Sequence, residues 1–239
     1  MAKKVTARAR TQRLPSQTLA SRRWRRKLVV GGVILALALG VAGVMRFMRQ
    51  HDLAPRLQSA VDHHYTRGTA GAPVVIKEFT DYTCPHCARL QEPLERALQH
   101  FEGQVQLVLY PFVLNPTSAV ATQAAFCAGE QGKFWEFHQM LYRRQEVWFR
   151  FAAPLERLRE FAAELALDPT ALTHCVESGR MQHFITADQA YGQQLQVHST
   201  PTLFINAQRV VGSQSEGELV RLIRQELDRV RPAAGKVPS

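Results

Sequence analysis

Cys84 and Cys87 stand three positions apart in the tetrapeptide Cys84-Pro85-His86-Cys87. Two thiols at that spacing can close and reopen a disulfide, or supply half of a tetrahedral zinc site. Their neighbours decide how reactive they are. Pro73 to Phe79 is a short, apolar, β-branched run that reads as a strand, and Ala88 to His100 has helical spacing at Leu90, Leu94, Ala97 and Leu98. A strand therefore feeds a helix at the cysteines. Cys84 falls at the helix N-terminus, where unpaired backbone N–H groups and the positive dipole end favour an anion. Pro85 is tolerated in a first turn, where its missing N–H is no loss, and His86 can add a donor or a positive charge. Such surroundings lower a thiol pKa from about 8.5 toward roughly 3.5 to 7.5. At about 3.5, ionisation stabilises the reduced form at pH 7 by ~5 kcal/mol and raises the reduction potential by ~100 mV, which makes the disulfide an oxidant.

Glu78-Phe79-Thr80-Asp81-Tyr82-Thr83-Cys84-Pro85-His86-Cys87, followed far downstream by Ser199-Thr200-Pro201-Thr202-Leu203-Phe204-Ile205-Asn206, resembles the DsbA-like thiol:disulfide oxidoreductases. The resemblance implies a thioredoxin-like α/β fold with an inserted α-helical domain. It implies catalytic roles for Cys84, Cys87, His86 and Pro85, with no cofactor or metal beyond the redox-active disulfide. Thr200 and Pro201 match the cis-proline loop that faces the disulfide and pairs with substrate backbone, an isomer that proline permits. Glu78, six residues before Cys84, matches the buried acid that moves a proton to and from the second cysteine. Read alone, Glu78 is also compatible with a charged residue at a strand edge.

Around the motif, Gln104 to Leu114 reads as a second core strand that ends at Asn115-Pro116. Residues 115–196 are helical in pattern, with apolar groups at Ala119 to Phe126, Phe134 to Leu141, Leu155 to Leu165, Pro169 to Val176 and Met181 to Leu195. Ala125 to Trp135 resembles the helical domain of the same family. Thr202 to Ile205 and Arg209 to Val211 read as a hairpin whose turn lacks glycine, and Ser213 to Arg231 as a closing helix. The thioredoxin-like domain is thus expected over 71–114 and 197–232, the insertion over 115–196, and a flexible C-terminus over 233–239. Cys127 and Cys175 both fall in the insertion. Some DsbA-like relatives carry a non-catalytic bond there, which makes this pair a candidate structural disulfide, with two buried free thiols as the other reading.

The net charge of +10 is unevenly placed. Residues 1–50 hold 12 of the 30 Lys and Arg and none of the 20 Asp and Glu, so residues 51–239 carry a net −2. That balance gives a nucleic-acid partner no support. Residues 1–27 read as a basic cytoplasmic tail. Leu28 to Met45 is an uncharged apolar stretch of 18 residues, about 27 Å as a helix, close to the roughly 30 Å hydrocarbon thickness. It is expected to be a single transmembrane signal-anchor in contact with lipid. Arg22 to Lys27 on its flank set the tail in the cytoplasm and the catalytic domain outside the bacterial inner membrane. A cleaved signal peptide is the rival, given Ala36-Leu37-Ala38. Residues 46–70 read as a tether, with His63 and His64 as solvated side chains.

The expected activity is a membrane-anchored disulfide oxidase. Its partners would be reduced or unfolded secreted proteins and a membrane quinone-linked thiol oxidase. A reductase or isomerase of the same fold is an alternative, since Thr before the cis-proline also occurs in isomerases of this superfamily. The short tether argues against the isomerase, because it is too small for a dimerisation domain. A third reading is copper or zinc handling through Cys84, His86 and Cys87.

Overall fold

The structure, a computed structural model, describes Gly40 and residues 64–230. The basic tail, the 28–45 signal-anchor apart from Gly40, residues 46–63 of the tether, His63 included, and the 233–239 C-terminus lie outside the described residues. Among the described residues no helix is long and apolar enough to cross a membrane.

The elements run β1 (Thr66–Gly68), β2 (Val74–Thr80), α1 (Pro85–Gln99), β3 (Val105–Pro111), α2 (Pro116–Glu130), α3 (Phe134–Arg143), α4 (Gln145–Phe149), α5 (Pro154–Glu164), α6 (Pro169–Glu177), α7 (Gln182–Gln194), β4 (Thr202–Ile205), β5 (Gln208–Val211) and α8 (Glu216–Val230). The strands form one sheet in the order β1-β3-β2-β4-β5. β2 is parallel to β3 and antiparallel to β4, which places the motif strand in the centre. The thioredoxin-like arrangement with a helical insertion is therefore present, and the insertion occupies the connection from β3 to β4.

Period-2 alternation explains how β2 serves both faces. Val74 and Ile76 join Leu90, Leu94, Leu203, Leu219 and Ile223 in the core beneath α1 and α8, while Phe79 packs on the opposite side with Tyr110, Phe112 and Val197. Glu78, two residues after Ile76, consequently faces α1. The insertion builds its own core from Ala124, Phe137, Leu141, Trp148, Leu158 and Phe161, and Tyr82 and Cys87 of the motif are buried in it. α2 begins with Asn115 accepting from the Ser118 N–H at 3.0 Å and α6 with Asp168 accepting from Thr170 and Ala171, each ahead of a first-turn proline.

Two expectations need correction. The tether does not extend to residue 70, because Thr66–Gly68 pairs antiparallel with Gln106 to Val108 as an edge strand. Gly68 makes the approach possible: its φ is +84°, and a Cβ there would collide with the Val105 carbonyl oxygen. His64 is not solvated either. Its side chain is 6% exposed, its Nε2 lies 2.7 Å from Asp188 Oδ1 on α7, and its ring packs against Tyr110 with centroids 4.1 Å apart. The hairpin turn needs no glycine because Asn206 takes the left-handed conformation, at φ +50°.

Candidate active site

Cys84 is the N-cap of α1, with extended backbone angles, and Pro85 follows in the first turn. Its sulfur is half-buried, whereas Cys87, one turn into the helix, is fully buried; both are free thiols. The two thiols differ in chemistry as well as in access. The Cys84 pKa is lowered to about 5, chiefly because the Cys87 thiol donates to its sulfur. Burial works against this, and the Thr200 side chain and the backbone N–H groups of Cys87 and His86 support it. The Cys87 pKa is pushed far up, first by burial and then by the thiolate beside it. One sulfur is therefore an accessible nucleophile and the other a protected thiol.

Thr200 and Pro201, 116 residues downstream, meet this pair. The Thr200–Pro201 peptide is cis, and the Cys84 sulfur lies 3.3 Å from the Thr200 carbonyl oxygen. Thr202, Leu203 and Phe204 of β4 pair with Phe79, Glu78 and Lys77 of β2, and this register carries the loop to the cysteines. Glu78 is no strand-edge residue. It is fully buried between Leu109 and Leu203, and burial raises its pKa to about 7 despite the 2.9 Å hydrogen bond from Gln91 that favours the carboxylate. His86 is at the surface, where its Nδ1 accepts from Arg89 at 2.8 Å. Cys127 and Cys175 are joined in a disulfide between α2 and α6, outside the redox pair.

The structure adds residues that the sequence reading did not single out. Asp81 accepts from the Thr83 N–H and hydroxyl at 2.7 and 2.5 Å through Oδ1, and from the Leu114 N–H at 2.7 Å through Oδ2. That clamps the loop entering the motif to the chain leaving β3. Gln145, at the start of α4, donates to the carbonyls of Tyr82 and Cys84 at 2.8 and 3.1 Å. Asp81 is signalled in sequence as an Asx residue two before Thr83; Gln145 has no local signal, since it acts across 61 to 63 residues. Gln91, Trp135, His138 and Tyr142 line a cleft of about 440 Å³ between α1 and α3. Among the described residues no three His, Cys, Asp or Glu side chains gather as a metal-ligand set.

A cis-proline loop facing a strand-to-helix dithiol defines a thioredoxin-fold redox protein. A family model described as Thioredoxin matches residues 60–225, and the chain belongs to that family. In structure it is similar to a thioredoxin-like oxidoreductase from Silicibacter pomeroyi, with 26% identity, a TM-score of 0.60 and coverage of 72% of this chain and 94% of that one. It also shares the fold of alpha-DsbA1 from Wolbachia pipientis, with 17% identity, a TM-score of 0.63, and 70% and 92% of the two chains covered. The DsbA-like resemblance of the sequence thus holds in the fold. Among curated proteins it is similar to Na(+)/H(+) antiporter NhaA 3 of Salinispora tropica, 31% identical over 182 residues, covering 74% of this chain and 27% of that protein. The chain spans about a quarter of the length of the curated relatives it matches.

Proposed function

We propose that this chain is a thiol:disulfide oxidoreductase that donates its Cys84–Cys87 disulfide to reduced extracytoplasmic proteins. The observation that carries the reading is the inequality of the two sulfurs, one reachable with a pKa near 5 and the other buried and protonated. A substrate thiolate attacks the Cys84 sulfur, the Cys84–Cys87 bond breaks, and Cys87 leaves as a thiolate that takes a proton from the Glu78 carboxyl. A second substrate thiolate then attacks the first substrate sulfur and Cys84 departs as a thiolate. The substrate has gained a disulfide, and two electrons rest on the cysteine pair. Thr200 and Pro201 hold the substrate strand beside Cys84, and the start of α1 stabilises the thiolate that departs.

In this reading residues 28–45 anchor the chain in the inner membrane with the tail in the cytoplasm, supported by their uncharged apolar length and basic flank. A quinone-linked thiol oxidase in the same membrane then removes the two electrons. Thr200 before Pro201 keeps a reductase or isomerase as the second reading. The copper or zinc reading has less to stand on, because His86 engages Arg89 rather than a site shared with the sulfurs. Equilibration of the full-length chain with glutathione, followed by thiol alkylation, separates these. A potential near about −120 mV supports donation, one near about −270 mV makes the protein a reductant, and no redox equilibrium at all overturns the thiol-exchange reading.

A further inference from the structure

Four side chains from three segments form one continuous hydrogen-bonded chain that ends on Glu78. Tyr82 Oη lies 3.0 Å from His138 Nδ1, His138 Nε2 lies 2.9 Å from Gln91 Oε1, and Gln91 Nε2 lies 2.9 Å from Glu78 Oε1. The direction of every bond is fixed by chemistry. An amide oxygen only accepts, so His138 must donate from Nε2, which leaves Nδ1 to accept from the Tyr82 hydroxyl. Gln91 Nε2 also lies 3.4 Å from the Cys87 carbonyl oxygen, another pure acceptor, so a reversed amide would face that carbonyl with its own oxygen. All donors therefore point toward the carboxyl of Glu78.

We propose that His138, supplied by the inserted helices, is a positioning residue for the proton transfer at Cys87: by engaging Gln91 Oε1 it presents an N–H to Glu78. This rests on the reading of Glu78 as the group that exchanges a proton with Cys87. The chain stabilises the ionised carboxyl, the state Glu78 occupies once its proton has passed to the departing Cys87 sulfur. Polarised chains of this kind reinforce one another away from water. Tyr82 and His138 are suited to it because burial keeps the phenol protonated and the imidazole neutral, with a His138 pKa lowered to about 3. The titratable groups whose charge is felt with that of Glu78 are Tyr82 ahead of α1 and Tyr142 on α3, and Arg67 on β1 acts on His138. β3 and β4 place Leu109 and Leu203 at the paired positions.

The test is the pH profile of dithiol-peptide oxidation by the full-length chain in detergent. The parent is expected to show a midpoint near 7 from Glu78. His138→Leu leaves the Gln91 amide free to turn its N–H away from Glu78 and should raise that midpoint by about half to one pH unit, the worth of an ordinary net hydrogen bond. His138→Gln, which can still donate to Gln91 and accept from Tyr82, should restore it. In a Glu78→Gln background the midpoint should vanish and His138→Leu should change nothing further. A midpoint that survives Glu78→Gln overturns the reading of Glu78 itself. One that vanishes with Glu78→Gln yet ignores His138→Leu overturns the role of His138. If His138→Leu does not fold, Gln91→Leu at its partly buried position removes the N–H that His138 orients, and an unmoved midpoint there overturns the proposal equally.

Discussion

The sulfur of Cys84 lies 3.3 Å from the carbonyl oxygen of Thr200, across 116 residues of sequence. The carbonyl only accepts, so this contact suits the thiol, whereas the thiolate relies on the Cys87 thiol, the Thr200 side chain and the first N–H groups of α1. Alkylation of Cys84 in the reduced protein should therefore be half-maximal near pH 5. Cys87→Ala removes the largest stabilising contact and should move the midpoint up by about one to two units. Iodoacetamide labelling followed by mass spectrometry reads both, and an unchanged midpoint would remove Cys87 from the account.

The same shift fixes how the stability of the reduced form depends on pH. Its folded pKa of about 5 lies below the ordinary thiol value near 8.5, so the stabilisation is complete above about 8.5 and is lost as pH falls to 5. At pH 7 about two units are realised, equivalent to ~3 kcal/mol or ~60 mV, and solvent screening at the half-buried sulfur makes that an upper bound. Urea titrations of the reduced and oxidised proteins between about pH 4 and 8 should show the gap in favour of the reduced form widening with pH. A gap independent of pH would contradict it.

Glu78 works in the opposite sense. Its pKa is raised from 4.5 to about 7, so the folded protein is destabilised progressively as pH rises between those values. Glu78→Gln should make the oxidised protein more stable at about pH 8, by up to about 3 kcal/mol, with little change at about pH 4, while slowing disulfide transfer. Denaturant midpoints at the two pH values check the first part and stopped-flow oxidation of a dithiol peptide the second.

The Cys127–Cys175 bond closes a separation of 48 residues, and on the chain-entropy model its loss costs about 4 kcal/mol. A Cys127→Ala, Cys175→Ala variant should be cut faster by protease and unfold at lower denaturant, yet keep the Cys84–Cys87 potential. Equal protease resistance would show that the bond adds nothing to the native state.

His64 and Asp188 form a pair almost sealed from solvent, which joins the start of the described chain to α7. His64→Leu leaves a buried acid without its partner and should cost about 3 to 5 kcal/mol; adding Asp188→Leu should recover part of it. Thermal unfolding of the two variants decides this. A double variant weaker than the single one would show that the pair stabilises outright.

Legibility followed range. The strand-to-helix junction at Cys84, the hairpin and the closing helix were readable because their periodicity is local, and Thr200-Pro201 because the motif carries it. β1 carries no local signal, because three residues hold no period and its pairing is set by Gln106 to Val108. Nothing near His64 marks it as buried, since its partner lies 124 positions away. The Gln91, His138 and Gln145 contacts depend on how α3 and α4 dock, which no window of sequence encodes. The long helical run of the insertion is cut at Gly132, Ala166 and Gly179, each at positive φ, and of these only the glycines announced a break.

The insertion between β3 and β4 also sets an order of events during synthesis. A ribosome releases Cys84, Cys87, Cys127 and Cys175 well before Thr200 and Pro201 exist, so a nascent chain carries four thiols and no completed site. A chain truncated before β4 therefore carries both motif cysteines but lacks the cis-proline loop that meets Cys84.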